Sequence, residues 1–179
     1  MERLRNLLGA QALAITDLLL GDERGTRETV SERAALVTLL AHPDRPVSWL
    51  GTVLGLTSSG VTRLVDRLVA AGWVARTHGR DARSRQLALT AAGRDRAEAV
   101  LQAREAALAA VLAPLSVADR VELERLLQML VSGLADARPR ALQVCRLCDR
   151  AACASGDAEC PLEHTVPLQP ASEVGPTGA

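Results

Sequence analysis

Lysine, phenylalanine and tyrosine are missing from this chain, and cysteine is missing from its first 144 residues. Without lysine, all 21 basic residues are arginine, so every cationic contact is a guanidinium fork. GC-rich coding accounts for that bias, but its chemical consequence stands. Two tryptophans, Trp49 and Trp73, are the only large aromatic side chains. Long apolar runs are also lacking. Nothing approaches the ~20 consecutive apolar residues that span a bilayer. At the N-terminus, Asn6, Gln11, Thr16 and Asp17 interrupt what would have to be the apolar region of a signal peptide. A cytoplasmic protein without membrane contact is expected. Net charge is lacking too, with 21 acids against 21 bases.

What is present is a chain of 179 residues that is 48% hydrophobic, enough for a core within one ordinary domain. The zero net charge hides an uneven distribution. Residues 1–56 and 90–179 are slightly acidic, at −1 and −3. Residues 57–89 carry six arginines against Asp66 and Asp81, a local +4. A neutral chain with one basic block has a localised site for an anionic partner.

Helical periodicity dominates the pattern. Leu4, Leu7, Leu8, Ile15, Leu18 and Leu19 share one stripe of a first helix. Thr29-Val30-Ser31-Glu32 reads as a capping box opening a second, with Ala35, Leu36, Leu39 and Leu40 on its buried face. Pro46 suits the first turn of a short third helix through about Leu54. Thr57 or Ser58 then caps a fourth, which ends before Gly72 and has Val61, Leu64, Val65 and Leu68 as its apolar stripe. The period changes to that of two short strands, WVART and RQLALT, around a basic turn. Thr90 and Ser116 open two further helices. Beyond Pro139 come the cysteines and then a tail, TVPLQPASEVGPTGA, whose composition predicts disorder. His42 and His78 read as loop residues.

Two short helices, a turn, a third helix and a hairpin describe a winged helix-turn-helix: mainly α, with a small β-hairpin wing. On the fourth helix, Ser58, Ser59, Thr62, Arg63 and Arg67 lie off the core. Small hydroxyls at a helix N-terminus let the backbone approach phosphate, and Arg63 can reach a guanine edge or a phosphate. Arg80, Arg83 and Arg85 occupy a narrow turn able to enter a minor groove. Charges opposite an apolar stripe are usually only a solvated face. Here helix and turn fall in one basic block, in the right order, on an otherwise acidic chain.

The stretch VTRLVDRLVAAGWVAR, the Asp81-Ala82-Arg83 triplet and the Leu89-Thr90-Ala91-Ala92-Gly93 segment together resemble the MarR family of bacterial transcription regulators. The resemblance covers most of residues 1–136. It implies a homodimer on pseudo-palindromic double-stranded DNA, with recognition helices in major grooves and wing arginines in flanking minor grooves. By position, Arg83 would be the wing arginine and Asp81 the carboxylate that orients it, while Ser58, Ser59, Thr62 and Arg63 would face the major groove. The implied division is residues 1–28 as an N-terminal dimerisation helix, 29–89 as the DNA-binding region and 90–138 as C-terminal dimerisation helices. A cysteine segment (139–164) and a disordered tail (165–179) follow. Trp49-Leu50-Gly51 departs from the more polar pattern common in the family, and Trp49 reads as packing against the second helix. Many relatives respond to small anionic aromatic effectors, so a small-molecule effector is a further expected partner. With no Phe or Tyr to line such a pocket, the cysteine segment becomes the better sensing site.

Cys145, Cys148, Cys153 and Cys160 follow a C-x2-C-x4-C-x6-C spacing, with His164 just beyond. In a reducing compartment such a cluster points to metal binding or redox sensing rather than structural disulfides. Four thiolates would close a tetrahedral zinc site. An iron–sulfur cluster is the alternative, and Cys160-Pro161 resembles the end of some cluster motifs. His164 reads as incidental. The expectation is therefore a transcription regulator of repressor type, not an enzyme, with the cysteines as a metal or redox site. The competing reading is a winged-helix protein-interaction module with a zinc staple and no DNA role. A thiol or zinc enzyme built on Cys160 and His164 is disfavoured, because four thiolates around one metal leave neither an open position nor an oriented base.

Overall fold

Thr29 opens the reading head as its spacing predicts: its side chain accepts from the Glu32 N–H, and the Glu32 carboxylate accepts from the Thr29 N–H. In the computed structural model, residues 1–20, 28–78, 85–153, 155 and 159–166 are described, except the side chain of His78. Helix α1 spans Glu2–Leu20, α2 Val30–Ala41, α3 Val47–Leu54 and α4 Ser58–Ala70. Strands β2 (Val74–His78) and β3 (Arg85–Leu89) form the wing, and α5 (Ala91–Leu112) and α6 (Val117–Ser132) follow. Predicted caps Thr57, Thr90 and Ser116 each accept a backbone N–H at the start of their helices.

The hairpin is part of a three-stranded sheet, which the sequence pattern does not predict. Arg45–Pro46 form strand β1, and the antiparallel order is β1-β3-β2, with Arg45 opposite Leu87 and Val74 opposite Leu89. Pro46 therefore stands at the N-cap of α3, in extended backbone, rather than in its first turn. A two-residue edge strand has no periodicity to read, and Pro is tolerated there because an edge residue need not donate. His78 ends β2 and His42 caps α2, so neither is a plain loop residue.

Around the turn at Gly55, which takes a left-handed conformation (φ 65°), α3 and α4 pack as the helix-turn-helix. Their shared core holds Leu36, Leu39, Leu50, Leu64, Leu68 and Leu87, all essentially buried. Each such side chain contributes about 1.5–3 kcal/mol. Leu40 is only half-buried at its margin.

Pro139 stands in the first turn of a further helix, α7 (Arg138–Val144), which ends at Cys145. A short α8 (Arg150–Cys153) and a 3-10 turn (Glu163–Thr165) complete a cysteine lobe. Its small core joins Leu162, Ala141 and Ala135, with Val131, Val144, Cys145 and Cys160 around them. Thr165 is buried and Val166 half-buried, so these two belong to the lobe; the rest of the expected disordered tail lies outside the described residues.

Candidate functional site

The face of α4 opposite its buried stripe is built to approach a ligand closely. Val61, Leu64, Val65 and Leu68 anchor the helix, leaving Ser58, Ser59, Thr62 and Arg63 exposed. Thr57 fixes the first turn by accepting from the Gly60 N–H, and its hydroxyl lies 3.4 Å from that of Ser59. Thr62 donates its hydroxyl proton back to the Ser58 carbonyl, 2.8 Å away, so it offers only an acceptor and a methyl group outward. Together these leave a low, hydroxyl-rich helix start beside one arginine.

The basic block divides into inward and outward arginines. Arg67 donates to Glu32 at 2.6 Å and thereby ties α4 to the capping box of α2. Burial pushes the Glu32 carboxyl up, but hydrogen bonds from Arg67 and Thr29 and the guanidinium charge outweigh it and hold the group below the usual range. Arg76 pairs with Asp66 and pins the base of the wing to α4. Arg63 and Arg85 are exposed and take part in no ion pair among the described residues. The remaining predicted wing residues, Arg80, Asp81 and Arg83, lie outside the described residues.

Behind the wing, α5 begins in contact with the exit of α4. Thr90 N donates to Trp73 O at 3.0 Å, and Thr90 Oγ1 donates to Gly72 O at 2.7 Å. Gly72 has a left-handed φ of 75°. A Cβ on Gly93 would stand far inside van der Waals contact with the Trp73 carbonyl oxygen. The Leu-Thr-x-x-Gly segment thus joins reading head to long helix. A profile described as the MarR family matches residues 29–84. A MarR family protein of known structure from Bacillus stearothermophilus is 31% identical, over 72% of this chain and 91% of that one, with a TM-score of 0.64. The chain belongs to the MarR family. YusO of Bacillus subtilis is 27% identical over 73% of this chain and 93% of its own, also with a TM-score of 0.64. Wild-type MarR of E. coli, at 24% identity and a TM-score of 0.59, shares the fold. A comparison with curated proteins finds no match. With the family comes its character: the fold is that of a DNA-binding transcription regulator.

Two features set this MarR-family chain's other surfaces apart. No residue of α1 or α6 is buried, although Leu4, Leu7, Leu8, Leu126, Leu127 and Leu130 are large and apolar. A cavity of about 330 Å³ lies between α1, α2 and α5, walled by Leu18, Leu19, Val100 and Leu147. Arg33 and Arg104 reach it. Arg33 caps α1 through the Leu19 and Leu20 carbonyls, while its buried Nε finds no acceptor among the described residues. Its walls are aliphatic side chains and arginines, without an aromatic ring.

All four cysteines are free and line one cavity, with Arg150, Glu159 and Glu163. Interaction with the neighbouring Cys148 thiol, together with burial, pushes Cys145 up, whereas the same interaction draws Cys148 down to about 6, helped by Arg104, Arg150 and Arg146. Burial raises Cys153. The thiols face one another without being closed around a point: among the described residues no three His, Cys, Asp or Glu groups are arranged to hold a metal ion. His164 is not aimed into this cluster. Its ring nitrogens lie 3.2 Å from Pro161 O and 3.1 Å from Ala135 O, stitching the lobe to the end of α6. His42, read from the sequence as a loop residue, stacks edge-on against Trp49 and meets Arg150 at 3.3 Å. Burial, and then the nearby charges of Arg150, Arg45 and Arg138, lower it to about 4.

Proposed function

We propose that the protein is a homodimeric, sequence-specific repressor of the cytoplasm, whose hold on DNA is set by the state of its C-terminal cysteines. The observation that carries this is the reading face of α4: exposed Ser58, Ser59, Thr62 and Arg63 on a rigid buried stripe, beside a wing pinned by Arg76 to Asp66. Hydroxyls and helix N–H groups seat on phosphate, Arg63 reads the groove, and Arg80, Asp81, Arg83 and Arg85 serve the minor groove. A second copy covers the apolar faces of α1 and α6, which a lone chain would leave in water. A dimer spanning two half-sites excludes other proteins from that DNA, hence repression.

Cys145, Cys148, Cys153 and Cys160 hold zinc in this reading, with an iron–sulfur cluster as the alternative. Four soft thiolates suit either, and Cys148 is already biased toward thiolate. Helix α7 ends at Cys145 and is bonded to α3 through Gln143 and Thr52, so a change at the site reaches the reading head. The cavity between α1, α2 and α5 takes a small anionic effector through Arg33 and Arg104. Nothing in this arrangement calls for catalysis.

Two experiments test the proposal. Binding of the full chain to duplexes selected from a random library should weaken linearly in log–log terms with salt. Salt-insensitive or absent binding would favour the protein-interaction module instead. Metal analysis with absorption spectra on protein purified without oxygen should find one zinc per chain, or iron with sulfide and visible absorbance. Neither would remove the cysteine site from the mechanism.

A further inference from the structure

Helix α7 does not trail away from the DNA-binding region; it is fastened to it. Gln143 Nε2 donates to Thr52 O at 3.1 Å across the surface of α3. Thr38 Oγ1 donates to Arg146 O at 3.3 Å, just beyond the helix, and Ala141 and Leu142 are buried beneath it. Gln143 lines the same groove as Ser48, Thr52, Ser58 and Thr62, which is the groove at the start of the recognition helix. Arg140 donates to Gln143 Oε1 at 3.3 Å, so its exposed guanidinium is held at the groove's edge. Arg138, two residues earlier and half-exposed, lies on the face of buried Leu142 rather than on that of Arg140 and Gln143.

We propose that α7 is a DNA-contacting arm, with Arg140 seated on a backbone phosphate that flanks the segment read by α4. The proposal rests on the DNA-binding reading above and adds a surface outside the winged helix itself. Its physical case is position and charge together. Arg140 is in no ion pair among the described residues. Arg45, whose guanidinium lies 5.3 Å from the Trp49 ring on the β1 side of α3, adds further positive charge near the same helix. Asp136 is the nearest acid in sequence, while Asp149 spends its carboxylate on the Ala151 and Ala152 N–H groups of α8. Guanidiniums so placed fix register and orientation on the duplex without reading sequence. Because α7 ends at Cys145, the arm and the cysteine site share one helix.

The test is fluorescence anisotropy of a labelled duplex, selected by the wild-type full chain from a random library, across a series of salt concentrations. Each lost phosphate contact lowers the log–log slope by about 0.9, so an Arg140→Ala dimer that loses one contact per protomer should show a slope shallower by about 2. Random and selected duplexes should weaken alike, and Arg140→Lys should keep the slope. An unchanged slope and affinity in the alanine variant, with Arg63→Ala still weakening binding, overturns the arm and leaves the DNA reading intact. Lost affinity at an unchanged slope overturns it too, by assigning α7 a packing role. Absence of salt-dependent binding by the wild type removes both readings together.

Discussion

Gly93→Ala is the substitution on which helix propensity and tertiary packing disagree in sign. Gly93 lies in the first turn of α5, and in a free helix replacing glycine by alanine is worth about 1 kcal/mol of stability. In the fold, the added Cβ would overlap the Trp73 carbonyl oxygen and stand 2.8 Å from the carbonyl carbon and 3.1 Å from Trp73 Cα. These are backbone atoms, so no rotamer change relieves the overlap. The start of α5 must move off the exit of α4, stretching the Thr90 N–Trp73 O and Thr90 Oγ1–Gly72 O hydrogen bonds. Overpacking costs about 1–3 kcal/mol and each lost hydrogen bond about 1, leaving a net destabilisation of about 1–4 kcal/mol after the propensity gain. The assay is urea unfolding followed by circular dichroism at one fixed protein concentration, since a dimer's midpoint depends on concentration. The midpoint should fall with an unchanged m-value. A midpoint at or above that of the wild type would refute the reasoning, because propensity alone would then govern the site. Since α5 starts against the exit of α4, the same variant should also bind DNA more weakly.

Replacing Glu32 by Gln leaves one acceptor oxygen where Thr29 N–H and Arg67 use two, so one of those bonds is lost with the charge, and it should cost about 1–2 kcal/mol in the same unfolding assay. The folded carboxyl lies below its ordinary 4.5, so its contribution is full above that pH and lost as pH falls through the folded value; the acid limb of the wild-type melting curve should flatten in Glu32→Gln. His42 is depressed from 6.5 to about 4, so the unfolded chain takes up its proton first and stability falls as pH drops from 6.5 toward 4. His42→Gln should remove that slope in thermal melts, and an identical slope would clear His42 of the role. Leu130→Arg places a charge on the apolar face of α6 and should convert the dimer to monomer by light scattering, weakening operator binding about tenfold or more; a persisting dimer would move the interface elsewhere.

Much of the fold was legible because its signals are local. A capping box needs only Thr29 and Glu32 three residues apart, and the stripe Val61, Leu64, Val65, Leu68 needs only the helical repeat. Strand β1 was not legible, because two residues carry no period and exist as a strand only against Leu87 and Gln86 of β3. Helix α7 was missed for a related reason. Pro139 reads equally as a stop or as a first turn, and packing of Ala141 and Leu142 decides which.

The candidate site divides along the same line. Residue types and spacing alone determined that this chain carries a recognition helix, a basic wing and four clustered thiols, since each follows from near neighbours in sequence. Only the tertiary structure decided how the arginines are used: Arg67 and Arg76 turn inward to Glu32 and Asp66, while Arg63 and Arg85 stay exposed. It also decided that the cysteine lobe rests on α3 through Gln143 and on the end of α6 through His164. Those partners lie tens of residues apart along the chain, and no local propensity encodes a contact between groups that only folding brings within hydrogen-bonding reach.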